Sequence, residues 1–242
     1  VSDPASIVAE GLEWAVRPWA QADDALGHGT HERRLWPIFN GMFTYALRHE
    51  RAFFDIGAHV GRYTLRAAAA GLNVLAVEPY PETFSTLRAN VTKNGFASQV
   101  WLFDCAAWSE LATLYWALSP IDERHASGRV SEALPEREAI QVDARPIDEL
   151  MPLARIGCMK IDTEGSEHRV LRGATRILHR DRPLMLIEMH DRFCPDVDRE
   201  GLLRLLDGVN YLWQQVLDLG PQDYIYCVPR EEAEQLQAIE RP

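Results

Sequence analysis

The spacing of apolar residues changes near position 50. Before it, "IVAEGLEWAVRPWA" (7–20) and "RLWPIFNGMFTYALRH" (34–49) carry apolar residues at roughly helical intervals. The polar, Gly-containing "QADDALGHGTHER" (21–33) between them reads as a loop. After it, short apolar runs alternate with amphipathic stretches. "AFFDIG" reads as a strand, "RYTLRAAAAG" as a helix closed by Gly71, and "NVLAVEP" as a second strand. "PETFSTLRANVTKNG" is a helix with Pro81 at its start and Gly95 at its stop, and "QVWLFDCAAW" is a third strand. Continuous rather than alternating apolar strands, separated by helices, predict a parallel sheet covered on both faces.

The middle of the chain is less regular. "ATLYWAL" fits an edge strand, "SPIDERHASGRVSEALPERE" (119–138) a surface loop and "AIQVDA" a strand. "PIDELMPLA" fits a short helix begun by Pro146. "IGCMKIDTEG" is then a strand, "SEHRVLRGATRILHR" one helix and "RPLMLIEMH" another strand. The C-terminal part predicts a helix ("DREGLLRLLDGV"), strands near "LWQQVLD" and "DYIYCVP", and a polar helical tail. No Pro-, Gly- or Ser-rich linker divides the chain. We therefore expect an N-terminal helical segment over 1–50, serving as a lid or as a substrate or subunit contact, and one catalytic domain over 51–242.

Composition narrows the classes of partner. With 242 residues, 47% of them hydrophobic, the chain suits one sizeable core. A formal net charge of -11 argues against nucleic acid or anionic lipid as a partner. No window approaches the apolar length needed to span a bilayer, and "VSDPASIVAE" lacks the basic start and apolar block of a signal peptide. A cytoplasmic location is the expectation. Cys105, Cys158, Cys194 and Cys227 include no close pair, so no cysteine-based zinc or redox motif is expected.

The first turn carries the candidate chemistry. In an open parallel sheet, ligands bind beyond the carboxyl ends of the strands, where strand order reverses. "FFDIGAHVGRYTL" puts Asp55 at such an end, followed by Gly57 and Gly61, which permit a tight turn, and then a helix whose first N–H groups suit a carboxylate. A dinucleotide site is the rival. Its middle glycine is absent, His59 stands in its place, and the Asp55 carboxylate would repel a pyrophosphate. S-adenosylmethionine, with an ammonium, a sulfonium and a carboxylate, suits an acid beside helix N–H groups. Glu78 ends the second strand, where an acid accepts from ribose hydroxyls, a feature shared with NAD sites. Asp104 ends the third strand, placed for the adenine amino group.

"FFDIGAHVGRYTL", "VLAVEPYPETFSTLRANVTKNG", "MKIDTEGSEHRVLRGATRIL" and "PLMLIEMH" together resemble the successive blocks of FkbM-type methyltransferases over about residues 50–190. The "KIDTEGSE…VLRGA" block is the most specific. The resemblance implies the Rossmann-like class I methyltransferase fold: a mostly parallel seven-stranded sheet with helices on both faces and an antiparallel final strand. It also implies S-adenosylmethionine as cofactor and O-methylation of a sugar or natural product. Cofactor contacts are implied at Asp55, Gly57, Gly61, Glu78 and Asp104. Ala58, His59, Thr64, Pro79 and Cys105 complete the expected cofactor set. The chain departs from the pattern at His59, in place of a more usual asparagine, and at Ser166, in place of a frequent tyrosine.

A hydroxyl is a weak nucleophile and needs a base or a metal as well as alignment. Lys160, Asp162 and Glu164 lie at one strand end, Glu188 and His190 at another. Alternation puts Glu188 and His190 on one face of their strand, and likewise Lys160 and Asp162. We expect His190 as general base, being poised near neutral pH, with Glu188 or Asp162 orienting it. Asp162, Glu188 and His190 also make a mixed oxygen and imidazole set of the kind that binds a divalent cation. No metal is predicted, because spacing alone does not show convergence. His28 and His31 belong to a loop that would either close over the pocket or remain an exposed linker. Among the aromatics, Trp108 is the one placed to touch adenine or substrate, while Trp101, Tyr115 and Trp116 read as core. Three other readings remain open: N-methylation, a non-catalytic cofactor-binding module and a dehydrogenase. The acceptor and the oligomeric state are not legible, since the N-terminal helices either cover the sheet or meet a second subunit.

Overall fold

The computed structural model describes residues 6–9, 11–15, 30–118, 128–190, 198–220 and 222–233, with side chains described at 11–12 and from 34 onward. Strands β1 (Ser6–Ala9) and β2 (Leu12–Ala15) pair as an antiparallel hairpin, with Gly11 in its turn at φ 77°. This corrects the helix expected over 7–20. Ile7, Val8 and Trp14 favour extended backbone, and a two-residue connection with a left-handed glycine closes a hairpin. Helix α1 (Thr30–Arg48) begins inside the expected loop. Its buried residues Leu35, Ile38, Phe39, Met42, Phe43 and Ala46 follow helical spacing, and the Phe43 ring meets Phe53 edge-on at 5.1 Å. The helix thus covers the sheet. His28 lies outside the described residues, as does the side chain of His31.

The chain then alternates through β3 (Ala52–Ile56), α2 (Arg62–Ala69), β4 (Val74–Val77), α3 (Pro81–Lys93) and β5 (Val100–Phe103). A small excursion follows: β6 (Ala106–Ala107), β7 (Ala112–Leu118), β8 (Gly128–Ser131) and β9 (Ile140–Arg145). The main sheet resumes with α4 (Ile147–Leu150), β10 (Ile156–Ile161), α5 (Glu167–Arg172), α6 (Thr175–Arg180), β11 (Leu184–Met189), α7 (Arg199–Gly208), β12 (Tyr211–Asp218) and β13 (Asp223–Pro229). A 3-10 turn at Arg230–Glu232 begins the expected tail, the rest of which lies outside the described residues.

Seven strands form one sheet in the order β12-β13-β11-β10-β3-β4-β5. Pairing is parallel from β11 through β5, and β13 runs antiparallel to both its neighbours. Every residue of β3, β4, β10, β11 and β13 is buried, as expected for strands covered on both faces. One face packs α1 and α2 through Phe39, Phe43, Phe53 and Leu65. The other packs the later helices through Val170, Leu171, Leu178, Leu202 and Leu206 against Phe54, Ile56 and Met159. Strand order reverses between β3 and β10.

Two further corrections concern the middle. β7 lies inside a separate four-stranded sheet, order β6-β9-β7-β8, rather than at an edge. Part of the expected 119–138 loop is the strand β8, whose polar sequence gives no period-two signal. That sheet has its own core of Ala106, Trp108, Leu114, Trp116, Val142 and Ala144. The single helix expected over 166–180 is two, broken at Gly173. A side chain there would meet the Trp108 carbonyl oxygen at 2.0 Å, so the break is where the helical layer docks on the small sheet.

Asp181 ties the helical layer to the sheet. Its buried carboxylate accepts from Arg155 Nη1 (2.8 Å), Arg180 Nε (2.7 Å), Arg180 Nη2 (2.6 Å) and the Ile156 N–H (3.1 Å). Burial opposes ionisation, but the Arg180 hydrogen bonds, the Ile156 N–H and Arg155 outweigh it and hold the pKa below the usual aspartate value. A depressed carboxyl pKa stabilises above the unfolded value, about 4, and that stability is lost as pH falls through the folded value. Asp181→Asn is expected to cost about 2–3 kcal/mol at pH 7, less than for a fully buried pair because Arg155 is largely exposed. Urea unfolding at pH 7 and pH 3.5 checks this. The gap between wild type and variant should narrow at the lower pH, and an equal gap would refute the ionic account.

Candidate functional site

Three acids stand where successive strands end. Asp55 is the penultimate residue of β3, Glu78 follows β4 directly and Asp104 follows β5 directly. Asp55 is fully buried. Its Oδ2 accepts from Thr64 Oγ1 at 2.6 Å, while Oδ1 has no hydrogen-bond partner among the described residues. Burial pushes the Asp55 carboxyl up, and Lys160 and the Thr64 hydroxyl draw it back. After β3 the chain turns sharply. Gly57 and Ala58 both donate to the Val77 carbonyl (3.0 and 2.9 Å), and His59 takes a left-handed conformation at φ 51°. The His59 N–H donates to Glu78 Oε2 (3.0 Å) and the Tyr80 N–H to Glu78 Oε1 (2.9 Å). The turn and the second acid are thereby fixed to each other. Pro79 lies between Glu78 and Tyr80 in the chain.

Asp104 is exposed and lines a cavity of about 260 Å3 with Leu102, Phe103, Cys105, Asp143, Arg145, Glu149 and Leu150. Cys105, Cys158 and Cys227 are free and buried, whereas Cys194 lies outside the described residues. Trp108 is buried in the core of the small sheet, with the Arg169 guanidinium 5.1 Å from its ring. Trp116 is buried and stacks on Tyr80 at 3.9 Å.

A second group of polar side chains meets beyond β10 and β11. Parallel register sets Lys160 beside Asp55 on one side and Leu186 on the other. The Lys160 ammonium is buried, donates to Asp162 Oδ2 at 2.7 Å and lies 4.9 Å above the Tyr63 ring. Burial works against its charge, but Asp162, Asp55 and Glu188 outweigh it and hold the pKa above the ordinary lysine value. Glu188 accepts from Gln222 Nε2 at 2.7 Å and lies opposite Tyr224 of β13. Burial and the Asp162 charge push its carboxyl well up. Asp162 is held down against its burial by Lys160 and His190.

His190 is the hub of this group. Its Nδ1 donates to Glu167 Oε1 at 3.0 Å. Its Nε2 faces Glu188 Oε1 and Glu164 Oε2, each at 3.6 Å, and Asp162 Oδ1 at 3.8 Å. Burial opposes the imidazolium, but the Glu167 hydrogen bond and the charges of Glu167, Asp162 and Glu188 raise the pKa to about 11. Glu167 is itself fixed by the Gly165 N–H (3.0 Å) and the Thr163 N–H (3.3 Å). Sequence reasoning gave Glu167 no part, because an acid in the first turn of a helix is ordinary capping chemistry. Its only signal is its position directly after "DTEGS".

The strand order, the antiparallel β13 and the acids at the strand ends define the Rossmann-like methyltransferase class. The model of the methyltransferase FkbM domain matches residues 55–213, so the chain belongs to the FkbM methyltransferase family. It is 29% identical over 160 residues to the 31-O-demethyl-FK506 methyltransferase FkbM of Streptomyces tacrolimicus, covering 52% of this chain and 60% of that one. It is 27% identical over 144 residues to Methyltransferase 1 of Beauveria bassiana, covering 49% and 56%. The matched region thus spans somewhat over half the length of these curated relatives. A putative transferase from Pyrococcus horikoshii superposes with a TM-score of 0.50 at 12% identity, over 94% of this chain and 71% of that one. The FkbM methyltransferase of Methylobacillus flagellatus gives 0.49 at 21% identity, over 73% and 43%.

Proposed function

We propose that the protein transfers a methyl group from S-adenosylmethionine to a hydroxyl of a small molecule, a sugar or natural product. The observation that carries the reading is Asp55 Oδ1, a fully buried carboxylate oxygen with no hydrogen-bond partner among the described residues, set at the strand-order reversal of the sheet. A buried carboxylate oxygen calls for a donor, and the ammonium of the cofactor supplies a charged one. Glu78, directly after β4, stands where a strand-end acid accepts from ribose hydroxyls, and the cavity beside Asp104 and Cys105 receives the base. Gly57, Ala58, His59, Gly61 and Thr64 shape the floor between them. The FkbM name of the Streptomyces relative, a methyltransferase of a demethylated natural product, favours the same acceptor class.

When bound, S-adenosylmethionine supplies a methyl group already activated by its sulfonium. Asp162, Glu188 and His190 serve the acceptor. An imidazole holding its proton to about pH 11 has no free lone pair at neutral pH. A carboxylate of the cluster takes the hydroxyl proton, and His190 supplies the positive charge that lets the carboxylates stand together.

Calorimetry with S-adenosylmethionine, S-adenosylhomocysteine and NAD tests the reading. Wild type should bind the first two and not the third. Asp55→Asn, which keeps shape and removes charge, should weaken S-adenosylmethionine binding about 10- to 100-fold, the worth of one hydrogen bond to a charged group. Binding of NAD alone would make the protein a dehydrogenase and sink the proposal.

A further inference from the structure

The geometry points to a divalent-cation site formed by Asp162 Oδ1, Glu188 Oε1 and His190 Nε2, taking a first-row ion of the Mn2+ to Zn2+ kind. One ligand atom from each of the three residues lies within 4.8 Å of the other two. Nε2 is 3.6 Å from the Glu188 oxygen and 3.8 Å from that of Asp162. Those distances are too long for hydrogen bonds. They are close to the spacing of neighbouring donors around one ion, about 3.0–3.6 Å for bonds near 2.1–2.2 Å. His190 is 4% exposed, and its Nε2 has no hydrogen-bond partner among the described residues although it points into three carboxylates.

Each ligand is also held from behind, as metal ligands are. Glu167 accepts from the Nδ1–H of His190, so that once an ion displaces the Nε2 proton, Nε2 is the coordinating nitrogen. Lys160 occupies Asp162 Oδ2 and leaves Oδ1 facing inward. Gln222 and Tyr224 hold the Glu188 carboxyl group through hydrogen bonds. Lys160 therefore neutralises one side of Asp162 without filling the space in front of Nε2. Glu164 Oε2, 3.6 Å from the same nitrogen, offers a fourth ligand. An imidazole among carboxylates suits Mn2+, Fe2+, Co2+ or Zn2+ better than Ca2+, which takes oxygen alone. The ion would occupy the place of the Nε2 proton. This role rests on the acceptor side proposed above, where a bound cation acidifies a coordinated hydroxyl.

The test is titration of the EDTA-dialysed full chain with Mn2+ alone, following the free-ion signal by electron paramagnetic resonance. S-adenosylhomocysteine binding is measured on the same samples. Wild type should take up one Mn2+ per chain at micromolar concentration. Asp162→Asn and Glu188→Gln should each lose at least tenfold in affinity. Glu167→Gln, which touches no ion, should lose about 10- to 100-fold. Exposed Glu200→Gln should change nothing. If wild type takes up no Mn2+ to millimolar concentration, or if Asp162→Asn and Glu188→Gln bind it as wild type does, the site is refuted and a proton on Nε2 fills its place. S-adenosylhomocysteine binding reports separately: its failure sinks the methyltransferase reading, while the Mn2+ result still decides the ion site.

Discussion

Replacing Gly57 by alanine is expected to abolish S-adenosylhomocysteine binding and to lower any methyl transfer at least about 100-fold, the penalty of a displacement near 1 Å at a reacting centre. The cause lies in the protein's own backbone. An added Cβ would stand 1.7 Å from the Asp162 carbonyl oxygen and 2.8 Å from its carbonyl carbon. No rotamer change relieves a clash with main chain. Gly57 also sits at φ 78°, where an L side chain is disfavoured by about 1–2 kcal/mol. Relief requires moving either the turn after β3, which carries the proposed cofactor contacts, or the segment after β10, which carries Asp162. Destabilisation should reach about 3–5 kcal/mol. Gly95→Ala is the control. It shares the left-handed backbone, φ 73°, but has open space where its Cβ would be. It should cost about 1 kcal/mol and leave cofactor binding intact. Chemical denaturation and calorimetry on the pair separate the two effects, and equal losses at both positions would refute the clash.

The second large effect is on turnover. Glu188→Gln and Asp162→Asn should each lower kcat by about 10²–10⁴, the range for removing a positioned proton acceptor. Glu188→Gln should leave S-adenosylmethionine affinity within about twofold, since the proposal puts Glu188 on the acceptor side, where it pairs with Gln222. Release of S-adenosylhomocysteine against a panel of hydroxylated acceptors finds a substrate for the comparison. Once one turns over, a Glu188→Gln enzyme running at the wild-type rate would remove the cluster from the chemistry.

The parallel strands were readable because burial on both faces writes them as unbroken apolar runs, such as Phe53–Phe54 and Val74–Val77. The hairpin at 6–15 was not, since its apolar residues also fit a helical stripe and only Gly11 argued for a turn. The division of the 166–180 helix was hidden because its cause, the Trp108 carbonyl against Gly173, is a tertiary contact. At the site, acids at strand ends could be picked out from the boundaries of apolar runs. Their meeting could not. Asp162, Glu188 and His190 are brought together by the register of β10 against β11, and Lys160 reaches Asp55 through the register of β10 against β3. Glu167 escaped notice because its partner, His190, is 23 residues away.

The four-stranded sheet between β5 and β10 carries a nucleus of its own, built from residues 106–144 and touching the helical layer at Gly173. Such a module can change composition within its own core without disturbing the strand pairing of the seven-stranded sheet. Sequence drift inside that nucleus can therefore proceed through evolution while the seven-stranded sheet keeps its register.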